Sequence, residues 1–181
     1  MLAEFRKFRG FVVLEFFLSH PTEKVSIREL AKRLKISTMS AKAYCDLLEN
    51  SCLLESEKKG LAKFFSLRNE EPAAKQWKRA YAIQKLVESG MVAAFAGNPF
   101  YVYGSFADGS YSGESDVDIF LVKIREIDHE KLDSFRKRCG WELSLVEVPF
   151  SELSAYREKH KELIEQILKK GIYFGDETHG L

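Results

Sequence analysis

Between Ser26 and Leu48 apolar residues recur every three or four positions. Ile27, Leu30, Ala31 and Leu34 make one face, and Ala41, Cys45 and Leu48 a second, the spacing of two short amphipathic helices. Ser26 stands three residues before Glu29, as in a capping box, and Ser37 is placed to cap the second helix. The pattern then changes. "LLESEKKGLAKFFSL" reads as two strand-like segments about Lys58-Lys59-Gly60, a hairpin. The apolar stretch before these elements, "FVVLEFFLSH", is interrupted by Glu15 and is expected to be a helix of the same domain, not a leader.

Past a polar break at "RNEEP", Pro72 suits a helix start. Ala73, Trp77, Ala80, Tyr81, Gln84, Val87 and Met91 follow at helical spacing and predict a connecting helix, with Trp77 and Tyr81 as packing residues. Phe100 to Tyr103 reads as a buried strand that runs into a turn at Gly104-Ser105. "SDVDIFLVKI" is a second strand, "DHEKLDSFRKRCG" a helix and "WELSLVEV" a third strand. One long helix is expected next, with Leu153, Tyr156, His160, Leu163, Ile164 and Ile167 inward and Gly171 at its end. The boundaries drawn from this are 1–70, a connecting helix over 71–95, and a second domain over 96–181.

Composition narrows the classes. Hydrophobic residues are 45% and charged residues 30% of 181, enough for a folded core. No apolar run reaches the length of about 18 residues that a membrane span needs, so no membrane partner and a cytoplasmic location are expected. Three cysteines without a CxxC pair, and His20, His129, His160 and His179 scattered along the chain, give neither a disulfide framework nor a transition-metal pattern. Three Asn and three Gln beside abundant Lys and Glu point toward a thermophilic source. Residues 1–70 hold 13 Lys/Arg against 9 Asp/Glu, a balance of +4, and the remainder 15 against 18, or −3. Two units with different partners fit that split.

The chemistry gathers in "GSFADGSYSGESDVDIFLV", residues 104–122. Residues two apart on a strand face the same side, so Asp116 and Asp118 are expected to project together at a strand mouth. Two adjacent carboxylates repel unless a cation lies between them, and burial raises the cost. Magnesium, which takes hard oxygen ligands from one or two carboxylates and substrate phosphates, answers both problems. Without a side chain at Gly104, backbone N–H groups and the Ser105 hydroxyl could approach phosphate oxygens.

Gly104, Ser105, Ala107, Gly109, Ser115, Asp116 and Asp118, in the order strand, Gly-Ser turn, Asp-x-Asp strand, helix, strand and the ending "GIYFG", resemble the minimal nucleotidyltransferases of the DNA polymerase beta superfamily over residues 73 to 175. The resemblance implies that Asp116 and Asp118 hold two magnesium ions and that Gly104 and Ser105 hold the phosphates of a nucleoside triphosphate, ATP foremost. It also implies attack of an acceptor hydroxyl on the α-phosphate, with pyrophosphate leaving. The family usually has a third carboxylate on the following strand. Glu142 is the candidate by strand phase, and Glu147 the candidate by its apolar neighbours. Asp108 stands where related sequences often carry a basic residue.

The helix, helix, hairpin order over residues 8 to 69 is similar to the winged helix-turn-helix family. By that resemblance the second helix exposes Thr38, Met39, Ser40, Lys42 and Ala43 to DNA, and Lys58, Lys59 and Lys63 of the wing meet phosphates. Winged helices also contact proteins, and the reading helix carries one lysine beside the acidic Asp46 and Glu49. The expectation is therefore an α+β chain, an N-terminal winged helix-turn-helix joined by a helix to a small mixed-sheet nucleotidyltransferase domain. Its function would be transfer of a nucleoside monophosphate, AMP foremost, to a protein or small-molecule hydroxyl, with a toxin as one possible protein acceptor in an antitoxin role. The alternative is a DNA-binding regulator that senses nucleotide without turnover.

Overall fold

A computed structural model describes residues 2–175 of the chain. It is a mixed α+β protein with two sheets, of three and four strands. The chain divides into two compact units, Met1–Tyr81 with Ser110–Gly113, and Ala82–Gly109 with Glu114–Leu181. The expected residues of the second domain beyond 175, His179 among them, lie outside the described residues. Among the described residues no helix is long and apolar enough to cross a membrane.

The first unit opens with α1 (Leu2–Phe5) and α2 (Arg9–Ser19), which buries Val13, Leu14, Phe16, Phe17 and Leu18. After the two-residue β1 (Val25–Ser26) come α3 (Ile27–Leu34) and α4 (Thr38–Asn50). Both helices start where their caps require. Ser26 Oγ accepts from the Glu29 amide, and Ser37 Oγ from the Ser40 amide at 3.0 Å. Strands β2 (Leu54–Lys59) and β3 (Ala62–Leu67) form the hairpin, and the antiparallel sheet runs β1-β3-β2. Gly60, at φ +60, opens the two-residue loop, the position where a tight hairpin turn favours glycine.

Helix α5 (Pro72–Glu88) begins at Pro72 as expected, and Tyr81 is buried as expected, but the rest of its inward face differs. Ala74 and Lys78 are buried with Tyr81, whereas Trp77 is 46% exposed. Hydrophobic spacing could not select a stripe that contains a lysine. Lys78 is 1% exposed, and its ammonium is compensated within the unit by Asn69 Oδ1 at 3.1 Å and the Tyr111 ring at 4.7 Å. The Tyr111 hydroxyl donates to the carbonyls of Leu18 (3.0 Å) and Lys78 (3.3 Å). Leu18 lies in the last turn of α2, where carbonyls lack intrahelical partners. The helix read as continuous to residue 95 in fact ends at Glu88, and the short α6 (Met91–Ala94) restarts after Gly90 at φ +93.

In the second unit, β4 (Phe100–Tyr103) runs into the short helix α7 (Gly104–Asp108). Then follow β5 (Val117–Lys123), α8 (His129–Cys139) and β6 (Leu143–Pro149). The sheet order is β6-β5-β4-β7, where β7 is Ile172–Phe174; β5 and β6 are parallel and the other pairs antiparallel. After β6 the chain does not form one long helix. A 3-10 turn (Phe150–Glu152) leads into α9 (Leu153–Lys159), and α10 (Lys161–Lys170) begins after a break at His160, whose backbone (φ −120, ψ 43) leaves the helical region. The periodicity continues across the break because both helices bury residues against the same side of the sheet.

Both sheet faces are covered, which a one-sided amphipathic pattern could not reveal. Tyr101, Phe120, Val122 and Val148 pack with Leu153, Ile164 and Ile167 of α9 and α10. On the other face Phe100 meets Phe95, which meets Phe135 of α8.

Candidate functional site

Strand pairing brings the two halves of the Gly-Ser and Asp-x-Asp segment together. Tyr103 is the register partner of Asp118, and Asp118 in turn is the partner of Ser144 on β6. The residue after Tyr103 is Gly104, at φ +65. A Cβ built on Gly104 would run into Asp118 Oδ2 and lie 3.2 Å from its Cγ. Glycine is therefore required here twice, for its left-handed backbone and for the carboxylate that lies against it.

A cleft of about 570 Å³ opens at this point, lined by Tyr103, Gly104, Ser105, Asp108 and Asp118, and on its other side by Gln166, Lys169 and Lys170 of α10. Its size suits a nucleotide-sized ligand. Burial pushes the Asp118 carboxyl up from its ordinary value and the charge of Asp116 pushes it the same way, while a hydrogen bond from Ser144 pulls it down. Burial likewise raises the Tyr103 phenol, and the Asp118 charge adds to it. A cation at Asp118 would relieve both effects.

The other sequence-predicted residues are less tightly gathered. Ser105 lines the cleft with Gly104. Asp116 is exposed, precedes β5 and does not line this cleft, although its charge is felt at Asp118. Glu142 is exposed just before β6, and its carbonyl accepts from the Val117 amide at 2.8 Å. Glu147 is exposed on β6 opposite Leu121, with Lys123 close enough to feel its charge. Ser144 holds the β6 position directly beside Asp118. Among the described residues no three His, Cys, Asp or Glu side chains gather closely enough to hold a metal ion.

The expected DNA-facing residues form a different surface, in the first unit. Thr38 is exposed, and the Ser40 hydroxyl accepts from Ser37 at 2.8 Å. Lys42 pairs with Asp46 at 2.6 Å, Lys59 with Glu57 at 3.1 Å and Lys63 with Glu49 at 2.7 Å. Lys58, at the hairpin end, lies opposite Lys63 in the register. The exposed side of α4 also carries Met39 at 80% and Leu47 at 60% exposure.

The chain matches no protein-family model and no curated protein.

What the sequence reading missed in the cleft is its α10 side. Gln166, Lys169 and Lys170 recur at intervals of three and four, the signature of one helical face, and lie beside the apolar stripe of Ile164 and Ile167. The spacing was legible. What that face looks onto was not.

Proposed function

We propose that the second unit is a nucleotidyltransferase of the polymerase beta type, which moves a nucleoside monophosphate, AMP foremost, from a nucleoside triphosphate to a hydroxyl on a protein or small molecule. The observation that carries this reading is the seating of the Asp118 carboxylate against Gly104 in a cleft shared with Ser105. A solvated charge at a strand end needs no glycine beneath it, whereas a phosphate-binding turn beside a metal-binding carboxylate does.

The donor set fits magnesium, with Asp118 and Asp116 as hard oxygen ligands and the raised Asp118 carboxyl as the group that gains from a cation. Bound magnesium would neutralise phosphate charge and acidify the acceptor hydroxyl. Gly104 leaves room for a phosphate oxygen close to the backbone, and the Ser105 hydroxyl is available to hydrogen-bond it. Ser144 orients the Asp118 carboxylate through its hydrogen bond. In the transfer itself the acceptor oxygen bonds to the α-phosphorus, the bond to the bridging oxygen breaks and pyrophosphate departs.

One observation favours a second reading, a nucleotide-sensing regulator without turnover. The strand position beside Asp118, which a third carboxylate would occupy, is Ser144. The first unit would then be the output arm. Its capped helices and hairpin support the winged-helix reading, and the pairing of Lys42, Lys59 and Lys63 with carboxylates favours a protein contact over DNA.

Incubation of the full chain with magnesium and α-labelled ATP, with and without cell lysate, tests both. Transfer predicts a labelled product that Asp118→Asn abolishes. Sensing predicts magnesium-ATP binding, lost in Asp118→Asn, without product from the parent chain, and product appearing in Ser144→Asp. No binding and no product would overturn both readings.

A further inference from the structure

We propose that Lys169 and Lys170, assisted by Gln166, form the wall of the cleft that grips the terminal phosphates of the nucleotide, and so make the site selective for triphosphates over monophosphates. This rests on the reading of the cleft as a nucleotide site.

Lysines in the last turn of a helix have an ordinary explanation, since they complement the helix dipole. Three observations go further. First, α10 has two separate jobs on adjacent faces. Ile164 and Ile167 are buried in the cluster with Phe120 and Val148, which fixes the helix against the sheet. Gln166, Lys169 and Lys170, three and four residues apart, then all border the cleft. Second, α10 packs against both α7 and β4, the two elements that meet at Gly104. The lysines therefore face the Gly-Ser turn across the cleft and not open solvent alone.

Third, the charges of these lysines are uncommitted. Lys42, Lys59, Lys63, Lys75 and Lys123 each pair with a carboxylate, but neither Lys169 nor Lys170 has an ion-pair partner among the described residues. The charged groups lining the cleft are two carboxylates, Asp108 and Asp118, and two ammonium groups. An anion alone would meet no net attraction there, while a polyphosphate spanning from Asp118-bound cation to the lysines would satisfy both ends. An α-phosphate held at the Gly-Ser turn leaves the β- and γ-phosphates to reach the α10 side. Gln166 adds an amide N–H donor on the same face. A monophosphate, with nothing beyond its α-phosphate, would gain little from this wall.

The test compares the full chain with Lys169→Gln/Lys170→Gln, which removes both charges on an exposed surface, and with Lys161→Gln at the other end of α10 as a control. Isothermal titration with ATP, AMP and inorganic tripolyphosphate is run with and without magnesium. The double variant should weaken ATP and tripolyphosphate at least about tenfold, the scale of a lost charge-assisted contact, and leave AMP within about twofold. The proposal is overturned if ATP and tripolyphosphate weaken no more than about twofold, or if Lys161→Gln weakens them equally. Asp118→Asn separates this from the parent reading. If it leaves magnesium-ATP binding intact, the metal–nucleotide reading fails, and the lysine wall then stands only if the double lysine variant still weakens tripolyphosphate at least about tenfold in magnesium, and is overturned if it does not.

Discussion

Replacing Gly104 with alanine perturbs one contact whose parts can be separated. The left-handed backbone at φ +65 costs an alanine about 1–2 kcal/mol. The new methyl also meets Asp118 Oδ2 and sits 3.2 Å from Cγ, so the carboxylate must turn away. Turning breaks its hydrogen bond with Ser144, a loss of about 1 kcal/mol for a half-buried pair. The single substitution should therefore destabilise by about 2–3 kcal/mol. In an Asp118→Ala background the atoms that clash are gone, and the remaining Cβ of residue 118 is at 3.5 Å, an ordinary contact. There Gly104→Ala should cost only the backbone share, about 1–2 kcal/mol. The difference, a coupling of about 1 kcal/mol, is read from a double-mutant cycle by urea unfolding, with Trp141 fluorescence reporting on the second unit. Magnesium-ATP affinity, measured on the same single variant, should fall with the displaced carboxylate. A coupling under about 0.5 kcal/mol, or unchanged nucleotide binding in Gly104→Ala, would refute the claim that glycine is there to seat Asp118.

Tyr111→Phe removes the donor shared by the carbonyls of Leu18 and Lys78 and should destabilise the first unit by about 1–3 kcal/mol; an unfolding midpoint equal to the parent's would remove Tyr111 from its structural role. Hydrogen bonds from Lys63 and then Ser56 hold the Glu49 carboxyl below its ordinary 4.5. Because the folded-state value is depressed, the stabilisation is full above pH 4.5 and fades as pH falls through the lower folded value. Glu49→Gln should flatten the acid-induced loss of stability below that pH, and identical acid profiles for variant and parent would contradict the pairing.

Local signals in the sequence were enough for much of the fold. Ser26 and Ser37 cap α3 and α4 because a short hydroxyl side chain before an apolar repeat satisfies exposed amides, a rule that operates within four residues. The strand at 100–103 and the strand that carries Asp118 were likewise legible, since a short continuous apolar run acts locally, whereas the turn expected at Gly104-Ser105 is the start of the short helix α7. Tertiary packing decided the rest. Lys78 is buried because Asn69 and Tyr111 compensate it, and no periodicity of apolar residues could nominate an ammonium for the interior. The helix after β6 breaks at His160 although its apolar stripe continues, because the stripe reports which side faces the sheet and not whether the backbone is continuous. At the site, the sequence by itself placed Gly104 and Ser105 at the end of one strand and Asp118 at the start of the next. Only strand register placed Ser144, and not a glutamate, beside Asp118, and only the packing of Ile164 and Ile167 turned Lys169 and Lys170 toward Gly104. Those relations join residues more than 20 positions apart, and they depend on pairing and burial energies that no local pattern encodes.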